Sequence, residues 1–277
     1  VLQEWIEDHW NDGEDVTQDM FKIVEKHVRD YSPYEVYARF LHEFFRHYDI
    51  DKDLGVWLED PKGSQVWKVL DDYQKEAFFD LIEKARTHKG AFLCDGVGLG
   101  KTLTGLMVVE YFVAFRKQNV LLLVPKAANE AVWQADIKRF APNLRRKRFF
   151  GGLRIQNHTD LMRKANDETD FPALWESVAE DADVILMDEA HHFRNTGIKD
   201  KSRYWKLYDI AEGKTMFMLT ATPVNNRLVD LQHMIELFTH GQADHFRLTL
   251  GINSVPGHFR TLEKNLDKLT DDAADAE

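Results

Sequence analysis

Three short stretches hold the residue types that phosphate chemistry needs. The first is Asp95-Gly96-Val97-Gly98-Leu99-Gly100-Lys101-Thr102. Glycines at alternating positions let backbone N–H groups curl around an anion, and the following lysine can reach the β and γ oxygens of a nucleotide. Thr102 adds a hydroxyl suited to magnesium. The run departs from the strict G-x-x-x-x-G-K-T spacing, because Asp95 occupies the first glycine position. The second stretch, Asp188-Glu189-Ala190-His191, pairs two carboxylates. Asp188 is suited to a magnesium shell and Glu189 to polarising a water for in-line attack on a γ-phosphate. His191 and His192 together also raise zinc, but no third ligand stands at usable spacing and Cys94 is expected to be buried in its strand. The third stretch, Leu219-Thr220-Ala221-Thr222-Pro223, offers two small hydroxyls. They can bond to the acidic stretch and report its state, or simply cap the next segment; spacing alone does not decide.

These stretches need elements that bring them together. Ala91 to Cys94, Val120 to Val124, Val184 to Met187 and Met216 to Leu219 are short apolar runs, as expected of strands buried on both faces. Residues 101–117, 129–140 and 200–212 are predicted helices. Alternation of this kind predicts an α/β fold with a mainly parallel sheet covered by helices on both faces, and ligands gather at the carboxyl ends of such strands. Each of the three stretches follows or ends one of these strands.

Before residue 60 the apolar residues recur at helical spacing, in Met20, Phe21, Val24 and Val28 and again in Val36, Tyr37, Phe40, Leu41 and Phe44. Ser32, Pro33 and Glu35 fit the start of the second of two helices. Gly55, Pro61 and Gly63 are read as a connection. The expected organisation is a small helical region over 1–62, a nucleotide-binding lobe over 63–245, and an extension with an acidic tail over 246–277.

The net charge of −11 is unevenly spread. Residues 1–60 carry 16 acidic and 6 basic residues, and 61–270 carry 27 and 30. A near-neutral centre between acidic ends permits a basic face without establishing one. One cysteine excludes an internal disulfide framework and suits a reducing, cytoplasmic setting. No apolar run reaches membrane-spanning length. The chain starts at Val1 and is read as a piece of a longer polypeptide.

In order and separation, DGVGLGKT, DEAH and LTATPVNN resemble motifs I, II and III of superfamily 2 helicases, and DEAHHFRN with Pro223 to Asn226 is similar to the Swi/Snf-like branch. Leu123-Val124-Pro125 with Trp133 resembles motif Ia of that family. The likeness covers about residues 66–240 and implies a RecA-type lobe that uses ATP and Mg2+ with DNA, duplex DNA first. It implies that Gln74 reads the adenine edge and that Gly96, Val97, Gly98, Leu99, Gly100, Lys101 and Thr102 hold the phosphates. It further implies that Lys101, Glu189 and His191 act in catalysis, that Thr102 and Asp188 hold the metal, and that Thr220 and Thr222 couple hydrolysis to nucleic acid. For Tyr73, packing is the expected role.

The same resemblance implies a second RecA-type lobe whose arginines reach the γ-phosphate, and the 37 residues after 240 are too few to form one. The 277 residues alone are therefore expected to hydrolyse ATP very weakly. Residues 4–50 resemble a helical spacer found before the motor in some bacterial helicases with a phospholipase-D-like nuclease; an upstream nuclease and a simple helical cap are both open. Arg145, Arg146, Lys147 and Arg148, followed by Phe149 and Phe150, form the densest basic cluster, with Pro125, Lys126 and the segment 157–161 as further candidates for DNA contact. A strand-separating helicase and a nucleotide-binding module without turnover remain the alternatives to a duplex translocase.

Overall fold

The computed structural model describes Tyr37 and residues 51–274, apart from 61, 97, 146–150, 166–168, 200 and 225–226. Contacts divide the chain into two units, Val1–Ile50 and Asp51–Glu277. The two helices expected before residue 50, Tyr37 apart, and the basic cluster at 145–150, apart from the Arg145 backbone, lie outside the described residues.

The second unit is built on a five-stranded parallel sheet. Its strands are β1 (Gly90–Leu93), β2 (Val120–Val124), β3 (Leu153–Asn157), β4 (Val184–Met187) and β5 (Thr215–Leu219), in the order β1-β5-β4-β2-β3. Along β2 and β4 the side chains alternate between two cores. Leu122, Val124 and Leu186 join one, and Leu121, Leu123 and Met187 join the other. Every residue of both strands is buried, which is why the sequence shows unbroken apolar runs there. One core is closed by α2 (Asp72–His88) and α3 (Lys101–Glu110), and the other by α5 (Phe171–Asp181), α6 (Arg203–Ile210) and α7 (Val229–Thr239). The expected α/β sheet covered on both faces is thus present.

Four local differences have physical causes. The stretch read as a connection around Gly55 is the helix α1 (Asp51–Glu59). Glycine in a helix interior costs about 1 kcal/mol against alanine, but Leu54, Trp57 and Leu58, at helical spacing, pack on the core. Edge strand β3 has no apolar run, since all five of its residues are only half-buried. The helix after β2 starts early, at Lys126, and passes through a wide π turn (Asn129–Gln134) into α4 (Ala135–Phe140). Lastly, Cys94 is not buried: β1 stops at Leu93, and Cys94 is exposed where the chain leaves the sheet.

Candidate active site

The glycine run leaves β1 and turns into α3. Gly98 (φ 86°) and Gly100 (φ 71°) both take the left-handed conformation, which only glycine adopts freely. Gly100 is further restricted, since a Cβ there would lie 2.4 Å from Gln74 Nε2. Lys101 Nζ donates to the carbonyls of Asp95 (2.9 Å) and Gly96 (2.8 Å), so two of its three donors close the loop on itself. Thr102 stands half-buried on the first turn of α3. Val97 lies outside the described residues.

Gln74 is buried and occupied at both ends. Its Oε1 accepts from the Asp71 N–H at 3.0 Å as part of the capping box that opens α2. Its Nε2 faces the carbonyls of Leu99 and Gly100, each at 3.4 Å. Tyr73 does more than pack: its hydroxyl donates to the Leu99 carbonyl at 2.8 Å. The start of α2 therefore grips the far side of the phosphate loop.

Asp188 follows β4, with its backbone N–H donating to the Leu123 carbonyl. The residue is 9% exposed. One oxygen accepts the Glu189 N–H at 2.9 Å and the other accepts the Trp133 indole N–H at 2.8 Å. Burial pushes the Asp188 carboxyl above the usual range, against the opposing effect of the indole donor. Glu189 turns the chain with φ 49°, a left-handed conformation that costs a non-glycine residue energy and that is found disproportionately at functional sites. Its carboxylate lies 3.1 Å from His191 Nδ1.

The same ring nitrogen lies 3.2 Å from Thr220 Oγ1. Thr220 is fully buried at the tip of β5, its N–H bonded to the Leu93 carbonyl, and its Oγ1 accepts the Thr222 N–H at 3.2 Å. The acidic stretch and the threonine stretch are thereby joined through Glu189, His191, Thr220 and the backbone of Thr222. Thr220 thus makes both contacts that spacing left open, meeting the acidic stretch through His191 and capping the Thr222 N–H.

Two residues not expected at the nucleotide site come into view, Trp133 from the motif Ia stretch and His158 from the segment 157–161. Trp133 reaches Asp188 from the turn after β2, a contact no local sequence pattern announces. His158, just after β3, is 2% exposed, and its Nε2 has no hydrogen-bond partner. It lines a groove of about 390 Å³ with Thr159, His192, Asn195, Lys201 and Arg203. Burial, then the neighbouring His192, lowers the His158 pKa to about 4. No three His, Cys, Asp or Glu residues among those described gather into a metal-binding group.

A glycine loop leaving a strand into a helix, an acidic pair at the tip of β4 and hydroxyls at the tip of β5, all on a five-stranded parallel sheet, define a RecA-type P-loop lobe of the helicase kind. The chain belongs to the family described as type III restriction enzyme, res subunit, whose model matches residues 68–225. It is 26% identical to an uncharacterized ATP-dependent helicase of Bacillus subtilis, YqhH, over 63% of this chain and 31% of that protein. It is also 26% identical to Helicase SWR1 of Saccharomyces cerevisiae, over 67% of this chain and 12% of that one. Among solved structures it is similar in fold to the Sulfolobus solfataricus SWI2/SNF2 ATPase core in complex with dsDNA, with a TM-score of 0.51, 20% identity, and coverage of 69% of this chain and 40% of that one. The chain thus spans less than a third of the length of these two curated relatives. None of the described helices is long and apolar enough to cross a membrane.

Proposed function

We propose that this lobe binds and hydrolyses ATP as half of a DNA-dependent motor that moves on duplex DNA inside the cell, its cleft completed by a second RecA-type lobe carrying arginines for the γ-phosphate. The observation that carries this reading is the Glu189–His191–Thr220 connection. A carboxylate placed to polarise water needs no such link if the lobe only hydrolyses nucleotide. A motor does need it, because the state of the catalytic carboxylate must be felt elsewhere. On this reading Lys101 releases the loop carbonyls to take the β and γ phosphates, and Gln74 releases the Leu99 and Gly100 carbonyls to turn its amide toward the adenine edge.

Thr102 and Asp188 suit Mg2+, which takes hard oxygen donors, typically one or two from protein with the rest from phosphates and water. When bound, the ion would neutralise phosphate charge and screen the incoming nucleophile. Glu189 then takes the proton of the attacking water, and His191 keeps that carboxylate oriented. The groove beside His158 offers Lys201, Arg203 and a buried imidazole nitrogen to a phosphodiester backbone.

The test is phosphate release by the whole protein, with and without duplex DNA, comparing wild type with Thr220→Val. Coupling energies of 1–3 kcal/mol correspond to about 5- to 150-fold, so stimulation by DNA should fall at least about fivefold. Unchanged stimulation would remove the coupling role. Displacement of a triplex strand without separation of a duplex supports translocation, whereas separation of the duplex favours a strand-separating helicase.

A further inference from the structure

We infer that Trp133 is a positioning residue for the metal-holding carboxylate: its indole N–H fixes Asp188, while its ring, wedged against α3, sets the spacing between Asp188 and Thr102. This rests on the nucleotide and magnesium reading above. A buried tryptophan must place its single N–H donor, and any uncharged acceptor would satisfy it. Trp133, completely buried, gives it to the Asp188 carboxylate. With the Glu189 N–H on the other oxygen, each carboxylate oxygen receives one donor. The plane of the group is then fixed, and lone pairs remain on both oxygens for a cation and its waters.

The other edge of the ring meets α3. A Cβ added at Gly105 would stand 3.0 Å from Trp133 Cη2 and 2.6 Å from Leu219 Cδ1. Gly105 lies three residues after Thr102, on the same side of the helix. One rigid bicycle thus touches the helix that carries the threonine and the carboxylate at the tip of β4. The backbone that bears Trp133 is itself pinned. Within its π turn, Gln134 Nε2 donates to Asn129 Oδ1 at 3.1 Å, and Asn129 Nδ2 donates to Asn157 Oδ1 at 2.8 Å, tying the turn to the end of β3. Displacement of the segment after β2 therefore reaches Asp188 through a single hydrogen bond.

The experiment measures the affinity of Mn2+ for the protein–ADP complex by electron paramagnetic resonance, beside ADP affinity in EDTA. Trp133→Phe removes the N–H and leaves an aromatic ring in the slot. Benzothienylalanine at position 133 replaces the N–H with sulfur in nearly the same outline, and it decides alone if the phenylalanine variant does not fold. Loss of a group that orients a metal ligand typically costs about 10- to 100-fold in metal affinity. Mn2+ affinity should therefore fall about tenfold or more while metal-free ADP affinity holds. The Trp133 indole signal in a 15N–1H spectrum should also shift when Mg2+ is added to the wild-type ADP complex. A folded variant with wild-type Mn2+ affinity would overturn the positioning role alone. A wild-type protein whose ADP complex takes no Mn2+ would overturn the metal reading beneath it as well.

Discussion

At Glu189, two demands meet in one side chain. The left-handed backbone swings the carboxylate away from the buried position that Asp188 keeps, leaving its side chain 40% exposed. That exposure suits a group that must meet a water molecule, while the His191 contact limits how far it can swing. Asp188 is the reverse case, buried and held by two donors, as befits a group that must not move. The division predicts different outcomes for similar substitutions. Glu189→Gln keeps the shape and a hydrogen-bonding oxygen but cannot accept the proton, and general-base catalysis is worth about 10²- to 10⁴-fold. In the whole protein this variant should bind Mg·ATP as wild type does and hydrolyse it slower by about that factor. Calorimetry with single-turnover phosphate release checks both halves, and hydrolysis within a few-fold of wild type would rule out the base role.

The strands that bear the chemistry were legible because each is buried on both faces, so that β2, β4 and β5 are near-continuous apolar runs that end where the polar stretches begin. Strand β3 was not, since Arg154, Gln156 and Asn157 give an edge strand the composition of a loop. The phosphate loop and acidic pair could be found from spacing, but Trp133 and His158 act through tertiary approach, across 55 residues in the case of Trp133 and Asp188. Gln74, expected at the adenine edge from the resemblance, lies against the loop and opens α2, a capping role the sequence did not announce. His158, at the end of β3, makes a separate prediction. Its ordinary pKa of 6.5 is lowered to about 4 by burial and by His192. The folded state therefore resists a proton that the unfolded chain accepts, so stability is intact above pH 6.5 and falls as the pH drops toward 4. Between pH 7 and pH 5 this group alone should cost about 2 kcal/mol. Urea unfolding at the two pH values should show wild type losing about that much more than His158→Phe; equal losses would mean that the imidazole titrates freely in the fold.

Across the molecule, charge is arranged against indiscriminate binding of nucleic acid. The first 60 residues carry 16 acidic against 6 basic side chains, while 61–270 are nearly balanced, so any DNA contact must come from a local concentration of cations. The groove beside His158 provides one, with Lys201 exposed and Arg203 half-buried over the Phe193 ring at 5.7 Å. It opens near the ends of β3 and β4, on the side of the sheet where the nucleotide loop and the His191–Thr220 link also lie. A backbone held there would sit next to His192, whose ring centroid is 4.4 Å from that of His191. Each phosphate neutralised on duplex DNA contributes about −0.9 to the slope of log affinity against log salt. Lys201→Gln with Arg203→Gln should therefore weaken duplex binding at low salt and flatten that slope by about 2. Nucleotide affinity should stay as in wild type, because both side chains line the groove beside His158 and neither belongs to the loop from Asp95 to Thr102. Anisotropy of a labelled duplex across a salt series reads the slope directly. An unchanged slope would move the DNA path off this groove, leaving the Lys126 turn and the basic sequence from Arg145 to Arg148 as the candidates to test. A slope that flattens while DNA-stimulated hydrolysis is lost in proportion would join the groove to the acidic pair through the histidines between them.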